Sequence, residues 1–263
     1  MEKNEMVFEF MKSIAPAIVQ EGLKLQNQIC ATGANPEKCT VGGMDIPHAF
    51  AESARIWAEA LAEKCPSFTI IGIRDMQLAK LQTEAIDLGL PSGTKWANMN
   101  LGANAPEETG LYYSWGNIEG HVAGGDYDFY DEYENSPGSK LTGDIDLEHD
   151  AAHALLGGNW QMPTTEDFVE LVKNCESEWT TCNGQLGRKF TSKINGNSVF
   201  FPAAGYYYGT TLYNRGAYGY YWASTLYSSA NGRYLNFYSS GVDPQRYSNR
   251  FFGFSVRAVQ KFA

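Results

Sequence analysis

The sequence predicts an α+β protein in which a helical N-terminal region precedes an irregular domain with long loops. In the first 84 residues, apolar residues recur at spacings of four and three, the period of an amphipathic helix. From Ala85 onward Gly, Trp, Tyr and Asn become frequent, and short apolar or aromatic runs alternate with turn residues. We therefore expect two regions, residues 1–84 and residues 85–263.

The N-terminal region carries two apolar stripes, each typical of one face of a helix. The first is formed by Val7, Met11, Ile14 and Ile18, and the second by Phe50, Ala54, Trp57 and Leu61. Such stripes can pack on each other, on the rest of the chain or on other copies of it. We expect intramolecular packing, and a homo-oligomer formed through these helices is the alternative.

The second region is predicted to contain two helices and several strands. One helix spans residues 148–156, and another follows Pro163, where Thr165 is the expected cap and Phe168, Leu171 and Val172 face inward. Residues 120–143 are acidic and loop-like. The runs that favour strands are 198–201, 220–222, 234–237 and 254–257.

Charge and hydropathy argue against two classes of partner. The formal net charge is −10, and no apolar run approaches the roughly 18 residues that a membrane-spanning helix needs. The positive charge after Glu178 is scattered, and residues 206–257 hold five arginines but no lysine, unlike a groove that tracks phosphates. We expect neither nucleic-acid binding nor membrane insertion. The first residues lack the basic and apolar segments of a signal peptide, so we also expect synthesis and assembly in the cytoplasm.

The cysteines and histidines do not predict a metal or redox centre. Cys30 and Cys39, and likewise Cys175 and Cys182, have loop-closing spacings, but without an export signal free thiols are expected. His149 and His153 have the spacing of two zinc ligands on a helix, yet no third ligand follows at motif spacing. We expect no metal and no cofactor.

An enzyme is not indicated either. Asp150 stands where the related zinc-protease motif has Glu, and it is one methylene shorter than the usual general base. No serine lies in a nucleophile elbow, and no glycine loop for phosphate is present. The acidic loops lack the glycine and closing glutamate of an EF-hand, so solvated loops are expected there.

The strongest signal is the composition of residues 206–252. This segment holds eleven of the sixteen tyrosines with many Ser, Gly and Asn, and it contains no Lys, Glu or Met. Tyrosine with small polar residues is the composition of antibody paratopes, in which rigid rings supply contact area and small residues supply adaptable hydrogen bonds. Randomising the adenines of AAY codons produces Tyr, Ser, Asn, Gly, Asp, Arg, Phe and Ala but never Lys, Glu, Met, Gln or Trp. The observed absences match, with Trp222 and Gln245 as exceptions that an unmutated or differently coded position explains.

Several motifs resemble a known family. They are DLGLPSGTKWA (87–97), NLGAN (100–104), GGNWQMPT (157–164), FPAAG (201–205), Tyr221-Trp222 and GFSVRAV (253–259). Together they resemble the Fibrobacter major paralogous domain of Bacteroidetes and their phages, over roughly residues 85–260. The resemblance implies a C-type-lectin-like domain of the formylglycine-generating-enzyme type. The segment YLNFYSSGVDP (234–244) followed by Arg250 resembles a variable region of a diversity-generating retroelement.

Two departures limit what the resemblance implies. The enzymes of that fold use a cysteine pair late in the domain, and this chain has no cysteine after Cys182. The calcium-dependent lectins use a Trp-Asn-Asp motif, which is missing here. Neither oxidase activity nor calcium-dependent sugar binding is therefore implied.

The resemblance implies a phage or prophage receptor-binding protein, located in the virion, whose partner is a protein or glycan receptor on a cell surface. The alternative is an adhesion or glycan-binding module on the bacterial surface with a fixed ligand. On the scaffold, Trp96, Trp115, Trp160, Trp222 and Val256 should be buried, while the tyrosines at 206, 208, 213, 218, 227, 238 and 247 should be exposed on one face. The expected ligand-contacting residues are Tyr206, Tyr208, Tyr213, Asn214, Arg215, Tyr218, Tyr220, Tyr227, Arg233, Tyr238, Asp243, Arg246, Tyr247, Ser248, Phe251 and Phe252.

Overall fold

The computed structural model describes residues 83–261 and, before them, residues 40–41 and 44–45. The chain divides into two compact units, Met1–Ile73 and Arg74–Ala263. In the first unit, β1 (Thr40–Val41) and β2 (Met44–Asp45) pair as antiparallel strands. Both predicted helical stripes lie outside the described residues, as do Cys30, Cys39 and Cys65.

The second unit is built mainly of strands. Their bounds are β3 Ala85–Ile86, β4 Lys95–Ala97, β5 Tyr112–Tyr113, β6 Trp160–Gln161, β7 Cys175–Cys182, β8 Gln185–Ser192, β9 Ser198–Pro202, β10 Tyr206–Tyr208, β11 Thr211–Tyr213, β12 Tyr218–Leu226, β13 Asn231–Tyr238, β14 Gly241–Asn249, β15 Phe254–Ser255 and β16 Val259–Gln260. The α-helices are α1 (Ala151–Leu156) and α2 (Thr165–Asn174), and two short 3₁₀ helices span Tyr133–Asn135 and Pro137–Lys140.

These proportions overturn the predicted α+β fold with a C-type-lectin-like domain. Of the interpretable residues, 39% lie in strands and only 13% in helices, and there are only two α-helices. The error came from residues 175–192 and 241–249, which the sequence analysis did not assign to any element and which form three long strands. Their polar, exposed positions hide the alternation that marks a half-buried strand.

The strands form four sheets in the second unit. The largest has the order β14-β13-β12-β15-β5, in which only the β12–β15 pair is parallel. A four-stranded sheet has the order β3-β4-β16-β6, a three-stranded sheet the order β7-β8-β9, and β10 pairs with β11. Each of the two larger sheets thus pairs segments that are far apart in the sequence, which is why local sequence patterns alone could not predict the topology.

The hairpin of β7 and β8 also shows whether Cys175 and Cys182 can form a disulfide. Its turn is Asn183–Gly184, with φ of 45° and 82°, as a two-residue hairpin turn requires. Cys175 and Cys182 stand at opposite ends of β7, roughly 23 Å apart at the usual rise of a strand. They cannot form a disulfide with each other, and both thiols are free.

Helix α2 largely follows its prediction. Phe168 and Leu171 are buried, and Val172 packs against the same core, so the predicted inward face is confirmed. The cap, however, is Thr164 rather than Thr165. The Thr164 hydroxyl accepts from the Asp167 amide, and the Asp167 carboxylate accepts from the Thr164 amide, which makes a capping box.

The five-stranded sheet lies between two hydrophobic cores. One face places Tyr221, Leu235 and Phe237 against α2 and the three-stranded sheet, and the other places Trp222 and Tyr234 in a second core. The predicted burial of the scaffold is confirmed: Trp96, Trp115, Trp160, Trp222 and Val256 are all buried.

Candidate binding surface

Strand alternation divides the tyrosines of residues 206–252 into two groups. Three are buried, namely Tyr207, Tyr221 and Tyr234. The other eight are exposed or half-buried, and all eight are among the sixteen predicted contact residues. The remaining predicted residues are also exposed or half-buried, so none of the sixteen belongs to the buried core.

Eight of the predicted residues form one continuous set of ring contacts, which we call the aromatic surface. It consists of Tyr206, Tyr208, Tyr213, Tyr218, Tyr220, Tyr238, Phe251 and Phe252. Tyr206 lies at its centre, with ring centroids 5.4 Å from Tyr213, 4.9 Å from Tyr220 and 5.5 Å from Phe252. The β10–β11 pairing places Tyr206 directly opposite Tyr213, so the backbone determines this contact.

Strands β12 and β13 carry the surface to its other end. Tyr218 stands opposite Tyr238, and their ring centroids are 5.3 Å apart. Tyr218 also contacts Tyr220, which lies two residues along the same strand and therefore on the same face of the sheet. Tyr238 and Tyr213 are among the more exposed rings of the described residues, at 37% and 41%.

Tyr130, from the acidic loop, also contacts these rings, although it was not among the predicted contact residues. It is 45% exposed, and its ring centroid is 4.9 Å from that of Phe251 and 5.9 Å from that of Tyr208. Asp128 fixes the local turn, because its carboxylate accepts from the amides of Tyr130 and Asp131. No local signal could reveal this contact, since Tyr130 and Phe251 are far apart in the chain.

Polar groups border the rings. The Asn214 amide donates to the Tyr220 hydroxyl at 3.2 Å, and Asn214 has a φ of 59°, in the left-handed region that Asn tolerates. Arg246 and Asp243 form an exposed ion pair at 3.7 Å. Burial raises the pKa of Tyr234 to about 12 and that of Tyr220 above its ordinary value, so both phenols stay protonated at neutral pH.

Three predicted residues lie elsewhere, on what we call the tyrosine stack: Tyr227, Arg233 and Tyr247. The rings of Tyr227 and Tyr247 are stacked at 4.0 Å, and the Arg233 guanidinium lies 4.4 Å from the centre of the Tyr227 ring. Arg233 pairs with Tyr247 across β13 and β14, while Tyr234, next to Arg233, points into the core beneath the aromatic surface.

Neighbouring strand residues point to opposite faces, so the tyrosine stack and the aromatic surface lie on opposite faces of the sheet. The expectation that all seven tyrosines would share one face was therefore wrong.

His149 and His153, which have the spacing of two zinc ligands on a helix, do not lie together on one helix in the structure. Helix α1 begins only after His149, because the Asp150 carboxylate caps it by accepting from the amides of Ala152 and His153. His149 instead contacts the Asp146 carboxylate at 2.7 Å. Within the described residues, no group of three or more His, Cys, Asp or Glu side chains is placed to hold a metal ion.

Two open clefts of the described residues, of about 460 and 390 Å³, are lined by none of the rings of the aromatic surface. Of the sixteen predicted residues, Arg215 alone lines either cleft. Among the described helices, none has the length and apolar character needed to cross a membrane.

Comparison with known proteins adds one finding. A family model for a domain of unknown function, DUF8237, matches residues 179–259, from β7 to β16. The matched segment contains all sixteen predicted contact residues. No curated protein and no solved structure matches the chain.

Proposed function

We propose that this chain is a ligand-binding protein whose aromatic surface contacts a receptor on a cell surface, and whose contact residues are diversified by a retroelement. A receptor-binding protein of a phage or prophage fits this role. One observation carries the proposal. In residues 206–252, all eight tyrosines chosen as contacts are accessible, and all three tyrosines left out are buried.

The chemistry of the aromatic surface suits a macromolecular partner. Its rings pack on one another, and none of them lines either of the two clefts described above. A surface of tyrosines with neighbouring Asn, Ser and Arg gives large contact area at low entropic cost and adaptable hydrogen bonds. Tyrosine and arginine are also enriched among the residues that dominate binding energy in protein interfaces.

The fold leaves these positions free to change. The buried residues of the cores on both sides of the five-stranded sheet lie outside the predicted set, among them Trp115, Tyr221, Trp222 and Phe237. Tyr206, Tyr220 and Phe252 pack against the second core from outside it. Replacing an exposed ring such as Tyr213 or Tyr238 leaves the buried contacts in place, so several sequences at these positions are compatible with one scaffold.

Sequencing of natural populations tests the proposal. The coding segment for residues 206–252 should be read from many DNA molecules of the source population. We expect variants at the AAY-type codons of the predicted residues on and around the aromatic surface, and constant codons at Tyr207, Tyr221 and Tyr234. A nearly identical copy of the segment, differing only at adenines, should lie beside a reverse-transcriptase gene. A segment without variation and without such a copy would reject diversification and favour an adhesion module with a fixed ligand.

A further inference from the structure

Three buried arginines have unusual partners. Arg188, Arg250 and Arg257 are at most 6% exposed, and among the described residues none of them forms an ion pair with a carboxylate. Most of their hydrogen bonds go to backbone carbonyl groups. Burying a guanidinium is costly unless its N–H groups are hydrogen-bonded, and the Nε groups of Arg188 and Arg250 have no partner within the described part of the chain, so the bonds made by their Nη groups require accurately placed acceptors.

Arg188 connects the three-stranded sheet to one end of the aromatic surface. It lies on β8, and its Nη2 donates to the carbonyl oxygens of Tyr238 at 2.6 Å and Ser239 at 3.2 Å. Its Nη1 donates to the Ser177 hydroxyl on β7 at 3.1 Å. The turn between β13 and β14 is thus tied to a second sheet through a single side chain.

Arg250 has the corresponding position at the other end. It directly precedes Phe251 and Phe252, and it donates to the carbonyl oxygens of Leu141 at 2.9 Å and Ser139 at 3.1 Å. Its guanidinium lies 5.1 Å from the centre of the Trp115 ring. The segment that carries both phenylalanines is thereby held against the end of the acidic loop.

We propose that Arg188 and Arg250 are positioning residues that hold the two ends of the aromatic surface from behind, through acceptors that every amino acid carries. Because a carbonyl group is present whatever the side chain, residues such as Tyr238 and Ser239 can be replaced without loosening the turn. The purpose of this arrangement rests on the proposed function, whereas the anchoring itself is a property of the free protein.

Arg257 provides a matched control. It has the same chemistry, donating to the carbonyl oxygens of Ala97 at 3.0 Å and Phe200 at 2.7 Å, but its partners lie in the core and include none of the predicted contact residues. Loss of its bonds should weaken the whole unit rather than one end of the surface.

Native-state hydrogen exchange of the full chain tests the proposal without any ligand. In Arg188→Lys, the amides of residues 238–241 should exchange about tenfold faster than in the wild type, beyond any common change at core amides such as Tyr221 and Leu235. Arg250→Lys should have the same local effect at residues 251–253 and 139–141. Arg257→Lys should instead accelerate exchange across the core.

Substitutions in the turn between β13 and β14 test the same proposal in a second way, which still applies if an arginine variant fails to fold. Tyr238→Asn, Ser239→Asn and Ser240→Tyr should leave exchange at residues 238–241 within about twofold of the wild type. Two results would overturn the proposal: fast local exchange in these turn variants, or Arg188→Lys and Arg250→Lys variants whose exchange rises uniformly, as for Arg257→Lys. Neither result depends on whether the coding segment varies, so this test and the sequencing test fail independently.

Discussion

Tyr220 and Tyr221 are neighbours on β12, and their side chains lie on opposite faces of the sheet. Tyr221 is fully buried, donates its hydroxyl to the Pro202 carbonyl at 2.7 Å and accepts from the Asn100 amide at 3.2 Å. Tyr220 is half-buried and packs among the rings of the aromatic surface. Because both residues are tyrosines, residue type does not distinguish the buried scaffold from the accessible surface. The face of the strand on which the side chain lies makes that distinction.

The largest expected effect is on the scaffold side. Tyr221→Ala should lower the free energy of unfolding by about 3–5 kcal/mol, because it opens a cavity and removes two buried hydrogen bonds, to the Pro202 carbonyl and from the Asn100 amide. Urea denaturation of the full chain measures this loss. Tyr221→Phe, which keeps the ring, should cost only about 1–2 kcal/mol. A loss below about 1 kcal/mol for Tyr221→Ala would show that the buried face does not carry the fold.

On the accessible face, substitutions should weaken binding without lowering the free energy of unfolding. Tyr213→Ala and Tyr238→Ala should each change the free energy of unfolding by no more than about 0.5 kcal/mol, since both rings are exposed. Their binding to cells that the wild-type protein labels should weaken by about 2 kcal/mol, measured by titrating fluorescent full-length protein.

Tyr247→Ala is the control, because Tyr247 is also exposed but lies in the tyrosine stack on the other face. We expect little loss of binding to the same cells. Large stability losses in the Tyr213, Tyr238 and Tyr247 variants would mean that these rings form a core. Equal binding losses in all three would mean that the partner contacts both faces of the sheet.

The last expected effect appears only at acidic pH and concerns the loop that carries Tyr130. His121 in this loop stacks on Tyr127 at 3.5 Å, and burial lowers the pKa of His121 from 6.5 to about 4. The folded state therefore holds this imidazole neutral where the unfolded chain would protonate it. The contribution of this neutral imidazole to the free energy of unfolding is fully present above pH 6.5 and is lost as the pH falls towards 4.

Thermal unfolding midpoints measured between pH 7 and pH 4 test this dependence. His121→Phe keeps a stacking ring and removes the titration, so its midpoint should fall less steeply over that range than that of the wild type. Identical slopes for the two proteins would assign the pH dependence to other groups.

Local patterns were sufficient for several features of this chain. The apolar spacing after Pro163 predicted the inward face of α2, and the sixteen positions predicted within residues 206–252 include no fully buried residue, although Tyr206, Tyr220 and Phe252 pack against the second core. Both succeed because helical period and side-chain chemistry act over a few residues. The strands at 198–202 and 231–238 were also located, although with shorter bounds.

Other features depended on pairing between distant segments, which short-range patterns do not encode. The strands β7, β8 and β14 were missed because their exposed polar residues show no clear alternation, and the predicted α+β fold was wrong as a result. Tyr130 joined the aromatic surface through contact with Phe251, far along the chain. Strand register placed Tyr247 on the opposite face from Tyr238. The sequence by itself indicated a set of accessible positions, and only the tertiary structure decided which of them share a face, because a shift of one residue in register turns a side chain to the other side of a sheet.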